Sequence, residues 1–288
     1  MTRVAEARRF YASLLAANAG AQDPRLEEAL ATIPREDFLG PGPWTVIVIP
    51  WTSGRRAIET PSADPVHLYQ NHLVALDRDK GINNGEPLLH AMWMTKVAPK
   101  PGEHITHIGA GTGYYSAILS RLVAPAGKVT AYEYEVHLAA RATDNLAGYD
   151  TVNVVHGDAV HAELPPSDII YVNAGAIAPP ASWLRALKPG GRLVFPWRPA
   201  EKIGLAVLVT RLEKGFACQP FMRSWFIPCV GASDAGPDGA SFKIPTSEEA
   251  KRSRSVFITK EKAPDATATA IFGDVWFSSK SLDGKRPA

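Results

Sequence analysis

The chain has 288 residues, 45% of them hydrophobic and 21% charged, with 31 basic side chains against 29 acidic ones. This is the composition of a globular protein, and the near-balanced charge gives no electrostatic case for binding nucleic acid or an anionic membrane. The longest apolar runs, such as LAVLV at 205–209, are too short to cross a bilayer, and the two cysteines, Cys218 and Cys229, fit a reducing compartment. We therefore expect a cytoplasmic protein.

Residues 1–98 are predicted to form a largely helical region that includes a substrate loop. Helical patterns occur at 3–18, 24–32 and 88–97. Glu6 lies among basic residues in the first pattern, which lacks a continuous apolar core, so we expect a helix of the mature protein rather than a signal peptide. The Pro- and Gly-rich stretch at 40–65 is expected to be a loop with a short strand at 45–49.

Residues 99–231 alternate between short β-type runs and helical patterns. The predicted strands lie at 104–108, 128–132, 152–156, 168–172, 192–196, 204–211 and 224–230. The predicted helices lie at 114–123, 136–146 and 181–187. This order predicts an α/β fold, a Rossmann-like, doubly wound and mostly parallel sheet of seven strands with helices on both faces. Residues 232–288 are expected to be an irregular C-terminal extension that docks through the apolar segment 270–277.

A glycine-rich turn, GAGTG at 109–113, follows the first strand predicted in 99–231. In a doubly wound sheet this turn lies where ligands bind, and glycine lets the backbone approach a ligand closely. A dinucleotide fingerprint requires G-x-G-x-x-G, but Tyr114 occupies the place of its third glycine, which comes one residue early. The G-x-G-x-G spacing is associated with enzymes that use S-adenosylmethionine (SAM), so SAM is the expected cofactor.

Two acidic residues follow the next predicted strands. Glu133 ends the second strand and is expected to accept hydrogen bonds from the ribose hydroxyls, and Asp158 follows the third and is expected to accept one from the adenine amino group. The alternative is that both are solvated turn residues. No spacing among the eight histidines indicates a metal site.

Six sequence segments occur in a fixed order along the chain. They are IPREDF at 33–38, GAGTGY at 109–114, VTAYE at 129–133, SDIIYVNAGA at 167–176, LKPGGRLV at 187–194 and FIP at 226–228. Together they resemble the protein-L-isoaspartate O-methyltransferase family, within the class I SAM-dependent methyltransferases. The resemblance covers about residues 1–231, and the part from 232 has no counterpart in it.

The resemblance implies a SAM site and a carboxylate as the methyl acceptor. The residues assigned to the cofactor are His107, Gly109, Ala110, Gly111, Gly113, Glu133, Asp158 and Asn173. In the family, the acceptor is the α-carboxyl of an L-isoaspartyl residue in a peptide or protein. Such a group has a pKa near 4, so it is already anionic and needs no general base. Catalysis then consists of holding acceptor oxygen, methyl carbon and sulfur in line and excluding water.

The chain departs from the family at the acceptor loop. Where the family has a sequence resembling G-x-T-I-S-Q-P, this chain has GINNGEP at 81–87. Asn83, Asn84 and Gly85 stand in place of Thr, Ile and Ser, and we assign acceptor positioning to these three, with amide groups as donors. Glu86 replaces Gln, and it either repels an anionic acceptor or serves as an acidic residue at a helix N-terminus.

His107 is a second departure, because many relatives have Glu there. A neutral imidazole could accept a hydrogen bond from the ammonium group of SAM; the alternative is a strand-end histidine satisfied by the backbone. We expect SAM binding to persist but to be weaker or more dependent on pH. Further candidates for the acceptor pocket, with structural anchoring as the alternative, are Trp44, Trp51, Arg55, Arg56, Tyr69, Asn71 and His72.

The leading hypothesis is a SAM-dependent carboxyl O-methyltransferase that acts on a peptide or protein. One alternative is a methyltransferase for a modified peptide or a small-molecule natural product. A second is an NAD-dependent oxidoreductase, against which the glycine spacing argues. A third is a SAM-binding protein without catalysis, which the altered acceptor loop keeps open. Neither nucleic acid nor a membrane is expected as a partner.

Overall fold

The computed structural model describes residues 2–49, 54–233 and 242–282. The chain folds into two compact units, each built from two stretches of sequence. Unit 1 comprises Met1–Glu103 and Ala110–His156, and unit 2 comprises His104–Gly109 and Gly157–Ala288. The boundaries of these units differ from those of the three consecutive parts, 1–98, 99–231 and 232–288, that were predicted from the sequence.

The strands are numbered along the whole chain. They are β1 (Thr45–Val48), β2 (Arg56–Glu59), β3 (Leu73–Asp77), β4 (Ile82–Asn83), β5 (His104–Ile108), β6 (Lys128–Glu133), β7 (Val152–His156), β8 (Ser167–Val172), β9 (Leu187–Ala200), β10 (Ile203–Leu212), β11 (Gly215–Arg223), β12 (Phe242–Lys243), β13 (Ser255–Ile258), β14 (Ala268–Phe272) and β15 (Val275–Ser278). The α-helices are α1 (Arg3–Ala19), α2 (Pro24–Thr32), α3 (Pro87–Val97), α4 (Tyr114–Val123), α5 (Val136–Asn145), α6 (Ala181–Ala186) and α7 (Ser247–Arg252).

Local chemistry sets the ends of the helices in unit 1. Thr2 caps α1 by accepting a hydrogen bond from the backbone N–H of Ala5 at 3.2 Å, and Gly20 ends the helix in the left-handed region with φ of 63°. Proline occupies the first turn of α2 and of α3, where a missing N–H leaves no helix hydrogen bond unmade. The predicted helices at 3–18, 24–32 and 88–97 are confirmed by these elements.

The strands of unit 1 form one small antiparallel sheet, in the order β2-β1-β3-β4, and one parallel pair, β6 and β7. The small sheet packs against a buried cluster of Leu39, Trp44, Leu68 and Val74. This cluster fixes β3, from which the chain turns into β4 and the acceptor loop.

Unit 2 contains the sheet order β12-β14-β15-β13-β11-β10-β9-β8-β5. β5, β8 and β9 run parallel to one another, and the strands beyond β9 pair antiparallel. The largest buried side chains of this unit are aromatic: Tyr171, Trp183, Phe195, Trp197, Trp276 and Phe277. The order of alternating strands and helices from β5 to β9 confirms the predicted α/β class.

Three sequence predictions are wrong. The sheet was predicted to have seven strands, whereas the sheet order in unit 2 alone contains nine among the described residues. The last predicted strand, at 224–230, is not a strand; its place is taken by β11, and segment 224–230 instead pairs with the loop after β8, where Gly175 donates to the carbonyl of Ile227 and Cys229 donates to that of Gly175. The predicted irregular extension is regular between 242 and 278, because β12 to β15 continue the sheet of unit 2. Gly273-Asp274 forms the two-residue turn between β14 and β15, with Gly273 at a φ of 43°.

Within the described residues, no helix combines the length and the apolar character needed to cross a membrane.

Candidate active site

The glycine turn and Glu133 meet in unit 1. The N–H of Gly111 donates to Glu133 Oε2 at 2.7 Å, and the N–H of Glu135 donates to Oε1 at 2.9 Å. The turn is also fixed to the end of β6, because the N–H of Ala110 donates to the carbonyl of Tyr132 at 3.0 Å. Burial raises the pKa of Glu133, against the opposing effect of the backbone N–H groups. A buried carboxylate with one backbone donor on each oxygen keeps lone pairs free for two hydroxyl donors.

The three glycines of the turn all have positive φ, and the contacts around Gly113 and Gly111 differ. Gly113, at φ 98°, precedes α4, and a Cβ there would lie 2.6 Å from a methyl carbon of Leu146. A Cβ on Gly111 would lie 3.3 Å from Leu76. Packing inside unit 1 therefore accounts for Gly113 without a ligand, whereas Gly111 presents its N–H directly to Glu133.

His107, Gly109 and Asn173 form the second group, in unit 2. His107 lies in β5 with none of its surface exposed, and Asn173 Nδ2 donates to His107 Nε2 at 2.8 Å. Burial lowers the pKa of His107 to about 3, although the hydrogen bond to Asn173 opposes the shift, so the imidazole is neutral at physiological pH. The predicted contact between His107 and SAM stays a prediction; in the structure His107 Nε2 accepts a hydrogen bond from Asn173.

Asn173 has a buried hydrogen-bond acceptor that receives no donor within the described residues. Its Oδ1 is buried and has no hydrogen-bond partner in the described part of the chain. A buried carbonyl oxygen without a donor is costly, and the ammonium group of SAM would supply one. This orphaned acceptor in unit 2 fits the ammonium group of SAM, and the Glu133 carboxylate, taken by itself in unit 1, fits the ribose hydroxyls.

Asp158 is held by its own loop in unit 2. Its Oδ1 accepts from the N–H of Val160 at 2.8 Å, and its Oδ2 lies 2.8 Å from His161 Nδ1. Burial works to raise its pKa, but the hydrogen bonds from His161 and Val160 outweigh burial, and the pKa is lowered. Asp158 is therefore ionised and closes a turn; its predicted contact with adenine stays a prediction.

The three residues assigned to the acceptor loop of unit 1 differ in burial and in hydrogen bonding. Asn83 Oδ1 accepts from the N–H of Gly85 at 3.0 Å, which leaves the Asn83 amide NH₂ at the half-buried surface of the loop. Gly85 has φ of 76°, and a Cβ there would lie 2.3 Å from His90 Nε2, so no other residue fits. Asn84 is only 7% exposed and points inward. Of the two asparagines, Asn83 is the more exposed, and its role in positioning the acceptor stays a prediction.

Arg35, in the IPREDF segment, was not predicted as a functional residue. It is 1% exposed, and Nη1 donates to the carbonyl of Leu68 at 2.7 Å while Nη2 donates to that of His72 at 2.8 Å and to Asn84 Oδ1 at 3.2 Å. Asn84 Oδ1 also accepts from the N–H of Val74 at 2.9 Å. Arg35 therefore ties Asn84 of the acceptor loop to the segment 68–72 that precedes β3. The sequence signal for this role is its place in the IPREDF segment.

The carboxylate of Glu86 accepts a hydrogen bond from a neighbouring side chain. Asn71 Nδ2 donates to Glu86 Oε1 at 2.7 Å, and Asn71 Oδ1 accepts from the N–H of Leu88 at 2.7 Å. Glu86 precedes α3 at the N-cap position without capping it through its side chain. The Asn71 amide thus satisfies one oxygen of the Glu86 carboxylate but leaves its negative charge in place.

The remaining pocket candidates have mostly structural contacts. Trp44 is buried in the cluster behind the small sheet, with Nε1 donating to the carbonyl of Gly40 at 2.9 Å. Tyr69 donates its hydroxyl to Glu36, and the His72 carbonyl accepts from Arg35. Arg55 and Arg56 are exposed, and Trp51 lies outside the described residues. Among the residues that are described, no group of three His, Cys, Asp or Glu side chains could hold a metal ion.

Comparison with known proteins gives consistent matches. The family model of protein-L-isoaspartate(D-aspartate) O-methyltransferase (PCMT) matches residues 13–234. The chain is 31% identical over 173 residues to a protein-L-isoaspartate O-methyltransferase of Pelotomaculum thermopropionicum, covering 58% of this chain and 74% of that protein. It is 30% identical over 216 residues to protein-L-isoaspartate O-methyltransferase 2 of Pelobacter propionicus, covering 74% and 85%.

Two solved structures share the fold. One is a protein-L-isoaspartate O-methyltransferase with a TM-score of 0.67 and 21% identity, covering 95% of this chain and 88% of that one. The other is a Plasmodium falciparum protein-L-isoaspartate O-methyltransferase in complex with S-adenosyl-L-homocysteine, with a TM-score of 0.60 and 16% identity, covering 77% and 97%. The family match spans the glycine turn, Glu133 and the acceptor loop. The chain is a SAM-dependent methyltransferase and belongs to the protein-L-isoaspartate(D-aspartate) O-methyltransferase family.

Proposed function

We propose that this protein transfers a methyl group from SAM to the α-carboxylate of an isoaspartyl residue in a peptide or protein. The observation that carries the proposal is the family match over residues 13–234. The two cysteines are both buried and form no disulfide, which supports a cytoplasmic setting for the reaction.

The donor side of the site rests on Glu133 and Asn173. The Glu133 carboxylate would accept the two ribose hydroxyls, and Asn173 Oδ1 would accept one N–H of the ammonium group. SAM supplies an electrophilic methyl carbon on a sulfonium. Asp158, already ionised, would face the adenine amino group. These contacts would fix the direction in which the methyl group points.

The acceptor side rests on the loop at 83–85. The Asn83 amide would donate to one oxygen of the acceptor carboxylate, and Asn84 would hold the loop in place through Arg35. Since the carboxylate is ionised at neutral pH, no side chain has to remove a proton. The contribution of the protein is therefore orientation and the exclusion of water.

The test uses purified protein, methyl-labelled SAM, and a pair of peptides that differ only in having isoaspartyl or aspartyl at one position. The expected result is label in the isoaspartyl peptide alone, released as methanol by mild base, as a methyl ester requires. Calorimetry with SAM and with NAD, in parallel, separates a failure of donor binding from a failure of acceptor recognition. SAM binding without transfer to the isoaspartyl peptide would exclude this acceptor.

A second candidate is a carboxylate acceptor that carries a positive charge beside the reacting group. Glu86 favours it, because its half-buried carboxylate adjoins the acceptor loop and only an uncharged amide, that of Asn71, is seen to donate to it. A panel of isoaspartyl peptides with Lys, Ala or Glu next to the isoaspartyl residue tests this candidate. A preference for Lys that disappears in Glu86→Gln would support it, and equal rates across the panel would not.

A further inference from the structure

Arg198 lies at the ligand-binding end of the parallel strands of unit 2. β5, β8 and β9 run parallel, and Arg198 is near the C-terminal end of β9, beyond the register pair of Tyr171 and Val194. In doubly wound sheets, ligands bind outside the carboxyl ends of such strands. No functional role for this arginine follows from the motifs in the sequence.

The Arg198 side chain covers the loop that carries Asn173. The N–H of Arg198 donates to the carbonyl of Ala176 at 2.7 Å, and a Cβ on Gly175 would lie 2.7 Å from Arg198 Cδ. Gly175 is two residues from Asn173, a separation of at most about 7 Å along an extended chain. The aliphatic stem of Arg198 therefore packs on Gly175, two residues along the chain from Asn173, which is proposed to hold the ammonium end of the cofactor, the end nearest the transferred methyl group.

The guanidinium has hydrogen-bonding capacity that the described residues do not use. It donates from Nη1 to the carbonyl of Phe226, while Nε is buried and has no partner. Within residues 2–49, 54–233 and 242–282, no carboxylate lies within 4.0 Å of its nitrogens. A partly buried guanidinium is an effective carboxylate ligand, since it presents planar donors and stays charged at all relevant pH values.

We propose that Arg198 binds the carboxylate of the methyl acceptor. This inference rests on the proposed function and deepens it, by naming a residue that selects an anionic acceptor. In the reaction, a carboxylate oxygen forms a bond to the methyl carbon, the carbon–sulfur bond breaks, and its electron pair stays on sulfur. Arg198 keeps its proton throughout.

The charge balance of this step predicts which kinetic constant Arg198 controls. The acceptor loses its negative charge as the ester forms, so the ion pair with Arg198 is stronger in the bound substrate than in the transition state. Such an interaction lowers KM and does not raise kcat. Arg198 is therefore an acceptor-binding residue rather than a source of rate acceleration.

The experiment measures peptide binding by calorimetry in the presence of S-adenosylhomocysteine, which prevents turnover. The probes are an isoaspartyl hexapeptide with a C-terminal amide and no other acidic residue, and the same peptide with its isoaspartyl α-carboxylate replaced by a carboxamide. The variants are Arg198→Met, Arg198→Lys and, as a matched control, Arg223→Met, which removes an exposed cation from β11 of the same unit.

The wild type and Arg223→Met should bind the carboxylate peptide at least tenfold more tightly than the carboxamide. Arg198→Met should lose this preference, Arg198→Lys should keep part of it, and both should bind S-adenosylhomocysteine as the wild type does. In turnover assays, Arg198→Met should raise KM at least tenfold and change kcat less than threefold.

An unchanged carboxylate preference in folded Arg198→Met, or a fall in kcat at constant KM, would overturn the inference. A loss of affinity that is equal for both peptides would also overturn it, because it would show a role in packing. Failure of the wild type to bind either peptide while it binds S-adenosylhomocysteine would instead overturn the proposed function, and this inference with it.

Discussion

At the scale of single residues, the site is built from buried polar groups that are each only partly satisfied. Asn173 donates to His107 but has an oxygen without a partner, and Asn84 accepts two hydrogen bonds but has an Nδ2 without one in the described residues. Unmet buried groups cost stability, so each needs a reason. A ligand supplies the reason for Asn173, whereas Asn84 serves to hold the loop.

The raised pKa of Glu133 makes SAM binding depend on pH in the acid range. Ribose hydroxyls donate to the ionised carboxylate, so binding should tighten as the pH rises through the raised pKa and level off above it. Replacing the carboxylate with an amide in Glu133→Gln removes charge-assisted hydrogen bonds and should weaken binding by roughly 10- to 150-fold, the equivalent of about 1.5–3 kcal/mol. Calorimetric titration with SAM from pH 4.5 to 8 measures both effects.

The neighbouring variant Glu135→Gln is the control for this experiment, because it keeps the backbone N–H that donates to Glu133 and removes only a like charge that helps to raise the Glu133 pKa. It should keep the acid dependence of SAM binding, shifted toward lower pH. A wild-type acid dependence that persists in Glu133→Gln would assign the titration to another group.

The lowered pKa of His107 affects folding stability rather than SAM affinity. The folded imidazole stays neutral down to about pH 3, whereas the unfolded one takes up a proton near 6.5. Stability is therefore lost as the pH falls below 6.5, by about 2–3 kcal/mol at pH 4.5. Urea unfolding at pH 7.5 and 4.5 should show this loss in the wild type and a smaller one in His107→Gln.

Because the pKa of His107 is about 3, His107 does not titrate between pH 5.5 and 8, and the SAM dissociation constant should not depend on its protonation in that range. This replaces the expectation of a pH-dependent affinity from a titrating histidine. Identical acid sensitivity in the wild type and His107→Gln would show that another buried group dominates the unfolding.

At the scale of elements, the acceptor loop separates a binding role from a structural one. Asn83→Ala should raise the KM for the acceptor with little change in stability, since its side chain accepts only one local bond, from Gly85. Asn84→Ala should lower the free energy of unfolding by about 1–3 kcal/mol, because Val74 N–H and Arg35 lose a buried acceptor. Comparing KM and denaturant midpoints for the two variants tests this division.

The opposite pattern, with Asn83→Ala destabilising the fold and Asn84→Ala raising only KM, would contradict it. The sequence placed both asparagines in the loop, but it could not tell them apart. Which amide faces inward depends on Arg35, which is 49 positions from Asn84 in the chain.

The C-terminal strands, beyond the region of the family match, belong to the core of unit 2. Phe277 in β15 is fully buried and stacks on Trp197 in β9 with ring centroids 4.1 Å apart. Phe277→Ala should therefore destabilise the protein by about 3–5 kcal/mol. Ile244→Ala in the same module, with the isoleucine 61% exposed, should change stability by less than about 0.5 kcal/mol.

Chemical denaturation of both variants measures these differences. Equal midpoints for Phe277→Ala and the wild type would mean that the C-terminal strands unfold independently of β9.

The regular structure of the C-terminal strands was foreseeable from Gly273-Asp274, a typical two-residue hairpin turn between apolar runs. No local signal showed that the strand predicted at 224–230 was wrong, since an apolar run fits a strand and a segment without regular secondary structure equally well.

At the scale of the whole molecule, local periodicity predicted most elements, while their assignment to units depends on tertiary pairing. β5 and α4 are neighbours in sequence, yet β5 belongs to unit 2 and α4 to unit 1. Gly109, the last residue of the unit 2 stretch, and Ala110, the first residue of the next unit 1 stretch, are consecutive in the glycine turn. No pattern within the turn indicates that boundary.

This interleaving has a consequence for synthesis on the ribosome. Unit 1 is complete in sequence at His156, but one edge of β5, already synthesised, stays without its partner until β8, its parallel neighbour in unit 2, is made. β8 ends 64 residues after β5, at 172 against 108. At roughly 5–20 residues per second, the wait is roughly 3–13 s. A nascent chain halted near residue 156 should therefore leave the β8-pairing edge of strand 104–108 exposed to chaperones, and release of the full chain should cover it.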